Sequence, residues 1–205
     1  MTRVCLIGDD DCNLQYELLS RETSRDALAT YDLERPFANS LAVRTVSIGA
    51  AISLLNDLQW YLTRFVEEAL VLEPSISDDE WLSRPLAERL RNGDADPAET
   101  REFYKVYGLE RESGESDGTS GDSKAAAAEA NSRAAGDDDS SPPTDEEPAQ
   151  PGDDGGQTQP AAGRPRLVEP LYVRRTGGEL PAYDLRDVSE TLVVRVTESE
   201  YASAP

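Results

Sequence analysis

Apolar positions along the chain change rhythm several times, and each rhythm predicts an element. Thr2 to Gly8 carries Val4, Cys5, Leu6 and Ile7 in succession, the continuous run of a strand covered on both faces. Between Asn13 and Thr30, the positions of Leu14, Leu18, Leu19, Ala27 and Leu28 predict one or two helices. Val43 and Val46 make Ser40 to Ile48 strand-like. From Ala50 to Glu73 the apolar residues Ala51, Ile52, Leu55, Leu58, Leu62, Phe65, Val66, Ala69 and Leu70 follow a period of about 3.6 residues, which predicts a long amphipathic helix closed by Pro74. Ser77 and Glu80 have the spacing of a capping box, predicting a helix that runs to Asn92-Gly93. Asp96 with Pro97 predicts one more, carrying Phe103, Tyr104 and Tyr107 as far as Gly108.

The rhythm stops after Leu109. Glu110 to Pro165 contains no aromatic residue and no Val, Ile, Leu, Met or Cys, and it holds 14 acidic and 4 basic residues. Such a segment cannot bury enough apolar area to offset its conformational entropy, so a disordered acidic linker is expected. Strand patterns return at Leu167 to Arg175 and Glu190 to Thr197, with turn chemistry at Thr176-Gly177-Gly178 and an extended piece from Leu180 to Leu185. In the last strand Leu192, Val194 and Val196 alternate with Val193 and Arg195. Closing a loop of about 57 residues costs about 3.6 kcal/mol plus a constant. Burying even half of the tail's Leu and Val side chains returns several times about 1.5 kcal/mol. The expected fold class is therefore α/β (α+β): a small mixed sheet covered by the long helix and completed by C-terminal strands. Residues 1–109 and 166–205 would form a single domain, with 110–165 as the linker between them.

Charge alters the picture of the surface. The 205 residues carry 41 Asp and Glu against 20 Lys and Arg, a net charge of -21. Only Lys105 and Lys124 among the bases are not Arg, and there is no histidine. Dispersed carboxylates with Arg as the dominant base suit concentrated salt, where a Debye length of roughly 3 Å removes most of their repulsion. The absence of histidine excludes imidazole general acid/base chemistry, Ser-His-Asp and Cys-His nucleophile systems, and imidazole metal sites. No basic cluster exceeds Arg174-Arg175, so nucleic acid is not an expected partner. No apolar run is long enough to span a bilayer and the N-terminus lacks the order of a signal peptide, which points to the cytoplasm and away from membranes. Cys5 and Cys12 lack CxxC spacing, and Cys5 reads as a core residue.

The stretches VCLIGDDDCNLQYELLSRETSRDALATYDL, SLAVRTVSIGAAISLLNDLQWYL and EPSISDDEWLSRPLA, with YVRRTGG and YDLRDVSETLVVRVTE in the tail, resemble an uncharacterised family of haloarchaeal proteins, a domain of unknown function. The resemblance implies a halophilic archaeal cytoplasm and supplies no activity, cofactor or catalytic residue.

Three constellations are candidates for chemistry or binding. Asp9, Asp10 and Asp11 follow the first strand and offer oxygen ligands to Mg²⁺; no other cofactor is expected. Asp57 and Lys105 fall near receiver-domain spacing, but both lie in predicted helices where a receiver needs strand ends. Arg174 and Arg175 offer guanidinium groups to a carboxylate or phosphate, although adjacent strand residues face opposite ways. Trp60 lies on the polar face of the predicted long helix, with Arg64 beside it and Val71 three turns along; either the next helix covers it or it anchors a protein partner or homodimer. Two functions are open. One is a non-catalytic interaction or regulatory module, and the other is a Mg²⁺-dependent phosphate-handling enzyme or nucleotide-binding protein using Asp9 to Asp11 with Arg174 or Arg175. The arginines' distance from the acidic turn discriminates them.

The dispersed carboxylates generate a prediction: the melting temperature rises from dilute buffer to concentrated KCl as screening relieves their repulsion. An unchanged cooperative transition in both solutions contradicts it.

Overall fold

The structure, a computed structural model, describes residues 1–111 and 163–204. The expected linker thus falls for the most part outside the described residues. In chain order the elements are β1 (Thr2–Gly8), α1 (Leu14–Leu19), α2 (Glu22–Leu28), β2 (Ser40–Thr45), α3 (Ile48–Asp57), α4 (Gln59–Phe65), β3 (Val66–Leu72), β4 (Trp81–Ser83), α5 (Arg84–Asn92), β5 (Phe103–Glu110), β6 (Arg166–Arg174), β7 (Glu190–Arg195) and α6 (Glu198–Ala202). The strands form one sheet in the order β2-β1-β3-β4-β7-β5-β6. It is mixed: β4 and β7 run parallel, and every other neighbouring pair is antiparallel. The mixed α/β class read from the sequence is the observed one.

The alternation of side chains sorts the core into layers. Val4 and Leu6 of β1 and Val71 of β3 point to the face covered by helices, where they meet Leu14, Leu18, Ile52, Leu55 and Leu86. Cys5 and Ile7 point the other way, into a second core with Leu70, Trp81, Tyr107 and Val194. That second face is concave. The Ala38 N–H, just before β2, donates to the Pro165 carbonyl, just before β6, at 2.9 Å. Since β2 and β6 are the two edges of the sheet, this bond shows that the sheet curls until its edges approach each other. A third cluster of Tyr104, Val106 and Val173 lies on the outer face of β5 and β6, covered by Leu180 and Tyr183. Tyr183 rests directly on Gly108, where an added Cβ would come within 2.8 Å of its ring.

Several predicted elements are corrected. The long helix predicted to Glu73 ends at Phe65; α3 and α4 are separated at Leu58, and Val66 to Leu72 is β3. A strand buried on both faces carries a near-continuous apolar run, and over a few residues such a run also satisfies a helical stripe. Ser77 does accept hydrogen bonds from the Asp79 and Glu80 amides, but the turn it caps leads into β4. The helix begins only at Arg84, capped by Ser83 and ended by Gly93 in the left-handed region. Asp96 likewise caps a turn rather than a helix, by accepting from the Ala98 amide. Phe103 to Glu110 is strand β5, because Lys105 and Tyr107 project to the concave side while Tyr104 and Val106 pack outside. The piece from Leu180 to Leu185 is irregular.

β7 is inserted between β4 and β5. Leu192, Val194 and Val196 enter the concave core, as their alternation predicts. Arg195 faces the opposite way and is 2% exposed, its guanidinium 2.5 Å from Glu80 and 3.2 Å from the Thr100 hydroxyl. The parallel β4–β7 register covers only Trp81↔Val194 and Leu82↔Arg195, as short as the β3–β4 pairing, so this ion pair reinforces one of the two shortest junctions in the sheet.

Candidate functional site

Where the curled sheet opens, a cleft of about 430 Å³ lies between the β1–α1 turn, the start of β3 and the start of β6. Two sheet irregularities border it. On β3, Ile7 pairs with Glu68 but Gly8 pairs with Val66, which leaves Glu67 as the extra residue of a bulge. On β6, Val106 pairs with Leu171 but Gly108 pairs with Val168, which puts Glu169 and Pro170 opposite the single residue Tyr107. Bulges re-aim side chains, and both of these place residues in the cleft wall.

Glu68 organises the floor. Its Oε1 accepts from the Tyr107 hydroxyl at 2.6 Å and pairs with the Lys105 ammonium. Lys105 Nζ lies 4.8 Å from the centre of the Tyr107 ring and 5.5 Å from that of Tyr172, so an internal ammonium occupies a pocket of one carboxylate and two aromatic faces. Burial alone would lower the Lys105 pKa, but Glu68 and Tyr172 more than offset it and hold it above its ordinary value. Burial, then the Glu68 carboxylate, pushes the Tyr107 phenol upward. Glu67 is also raised, by burial first and then by Glu68 and Asp10.

The turn beside the cleft is fixed by Asn39, which has a φ of 45°. Its side-chain oxygen accepts from the Leu14 amide, and its side-chain NH₂ donates to the Asp9 and Cys12 carbonyls at 2.8 and 2.9 Å. Gly8 is required here, because an added Cβ would lie 2.5 Å from Asn39 Nδ2. Within this turn Asp9 accepts from the Asp11 amide and Asp10 pairs with Arg166 at 2.5 Å. Among the described residues no group of three Asp, Glu or Cys side chains converges as a metal-binding set, and Asp9, Asp10 and Asp11 are exposed.

Arg174 and Arg175 lie at the end of β6 remote from Arg166. Arg174 is held by Glu102 at 2.6 Å, while Arg175 donates to the Gly178 carbonyl and to the Tyr104 hydroxyl. At about 3.3 Å per residue, β6 puts them roughly 26 Å from the acidic turn, and the two candidate groups do not share the cleft. Trp60 is 48% exposed on α4. The helix expected to cover it packs instead on α3, with Arg84 donating to Asn56. Arg64 lies 4.7 Å and Arg21 5.4 Å from the Trp60 ring centre, and Phe65 meets the ring edge-on. Val71, expected on the same face, is instead fully buried in β3 between Val4 and Leu82; the period that placed it beside Trp60 does not continue past Phe65. Glu67, Glu68, Tyr107 and Asn39 were not among the sequence candidates. The Asn39-Ser40 pair before an apolar run was a signal for the left-handed turn residue, but the Glu68–Lys105 pairing depends on sheet order and curvature.

Fold and site together describe a curled, helix-backed mixed sheet with a polar cleft at its open end. The chain belongs to the DUF5804 family, a family of unknown function, whose profile matches residues 2–109. The matched region ends within β5, so β6 and β7 lie beyond it. Neither curated proteins nor solved structures yield a match. No helix among the described residues is long and apolar enough to cross a membrane.

The floor network generates a pH prediction. A group held above its ordinary value in the fold contributes stability that is complete below its unfolded-state pKa and is lost as pH rises. The ordinary values are 10.5 for Lys105 and 10.0 for Tyr107, so the melting temperature should fall as pH rises beyond about 10. A Lys105→Met, Tyr107→Phe double variant should show a shallower alkaline decline. Superimposable alkaline declines in the two proteins would contradict the network.

Proposed function

We propose that the protein is a non-catalytic interaction module that docks a partner protein on the Trp60 face. The observation that carries this reading is the half-exposed Trp60 ring with two guanidinium groups close by. An exposed Trp flanked by Arg is the composition of an interface anchor; α5 does not cover it, and with Arg21 and Phe65 against it the ring is still 48% exposed. Arg64 has no ion-pair partner among the described residues, whereas Arg21 is shared with Glu17. A basic and aromatic patch on a chain of net charge -21 suits a partner segment that presents carboxylates beside an apolar side chain. A second copy of this strongly acidic chain fits less well. The cytoplasm of a halophilic host is the setting that the acidic composition favours.

The Mg²⁺-dependent phosphate-handling reading receives less support. It requires Arg174 or Arg175 beside the Asp9 to Asp11 turn, and each of these arginines is engaged at the other end of β6.

The test begins with proteins co-purified from host extract in high salt and continues with titration calorimetry on each purified candidate. Trp60→Ala and Arg64→Glu should each weaken binding at least tenfold. Arg64→Glu, an exposed change, should alter stability by no more than about 0.5 kcal/mol. Unchanged affinity in both variants, or a wild-type dimer in sedimentation that Trp60→Ala dissociates, would overturn the reading of a separate acidic partner.

A further inference from the structure

We propose that the cleft at the open end of the sheet binds a small zwitterion, an aminocarboxylate, with Arg35 taking its carboxylate and Glu67 its ammonium. The site is distinct from the Trp60 face, so either proposal can fail alone.

Most charges in the cleft wall are already paired. Asp10 is paired with Arg166, Glu68 with Lys105 and Tyr107, and Glu169 with Arg186. Two charged side chains in the wall have no ion-pair partner among the described residues, Arg35 and Glu67, and they are opposite in sign. They come from different elements, Arg35 from the segment leading into β2 and Glu67 from β3. A site offering one charge would attract any counter-ion, whereas one offering both selects a molecule that carries both.

Glu67 is in the cleft because of the β3 bulge, which takes it out of the ladder. A bulge sacrifices regular pairing and is a recurrent device beside binding sites. The β6 bulge at Glu169 and Pro170 faces the same space. The cleft wall also includes Ile7, Ala38, Leu167 and Pro170, apolar surface suited to a short methylene chain. A volume of about 430 Å³ accommodates a small molecule of this kind. The surroundings of Glu67 add to the case, because burial and the nearby Glu68 and Asp10 carboxylates disfavour its charge, and a ligand ammonium would relieve them. The Lys105 ammonium, held by Glu68, offsets this only in part.

The test uses the full chain and three probes, glycine, 4-aminobutyrate and 6-aminohexanoate, with butylamine and butyrate as single-charge controls. Binding is followed by amide chemical shifts and calorimetry at fixed high salt. At least one aminocarboxylate should bind saturably, with shifts at Gly8, Glu67 and Leu167, and each single-charge control should bind at least tenfold more weakly. Arg35→Gln and Glu67→Gln should each lower affinity at least tenfold, with unchanged far-ultraviolet circular dichroism and melting; Trp60→Ala should leave it intact. No saturable binding by any of the three probes would overturn the proposal. So would butylamine binding as tightly as the aminocarboxylates, or affinity insensitive to Arg35→Gln.

Discussion

The rest of the structure depends on a C-terminal strand filling a central slot. β7 separates β4 from β5, so without it the N-terminal strands and β5 share no edge. Its Val194 is fully buried and its Arg195 nearly so, with the two side chains serving opposite faces. An unpaired guanidinium at that depth would cost several kcal/mol; Glu80 and Thr100 satisfy it. The result is a strand that contributes apolar packing on one face and a specific ionic register on the other. Loop-closure entropy grows only with the logarithm of length, so the long connection before β6 does not prevent this insertion.

Insertion of β7 also sets the curvature that creates the cleft. With β5 and β6 attached beyond it, the sheet is wide enough to curl and bring Pro165 to Ala38 and Arg166 to Asp10. Glu68 on β3 then reaches Lys105 and Tyr107 on β5, across the two intervening strands. This cross-brace is possible only on a concave face, where side chains from non-adjacent strands converge. The two bulges adjust the rim and direct Glu67 and the Glu169-Pro170 pair toward the opening.

Much of this fold was legible in the sequence, and the illegible parts share a physical cause. The run Val4 to Ile7, the helices from Asn13 to Thr30, the first part of the Ala50 helix and the alternation of Leu192, Val194 and Val196 each carry their own periodicity. The strands β3, β4 and β5 do not. Leu70, Val71 and Leu72 are buried on both faces, and their pattern is shared by a helix stripe. Trp81 to Ser83 is too short to show a period, and Tyr104 and Tyr107, three apart, imitate a helical face while lying on opposite sides of a strand. The exposed position of Trp60 was readable because it lies within true helix; that of Val71 was not. The cleft was invisible because its pairs are separated by long stretches of sequence and meet only through strand order, although the acidic turn at one wall was noticed.

The dependence of the sheet on β7 can be measured by splitting the protein. A chain of residues 1–111 alone should show no cooperative melting transition, because β4 and β5 have no strand between them and the concave core lacks Leu192, Val194 and Val196. Adding a peptide of residues 163–204 should restore a cooperative transition together with amide protection in β4 and β5. A 1–111 chain that melts cooperatively at the temperature of the whole protein, with or without the peptide, would contradict the central role assigned to β7.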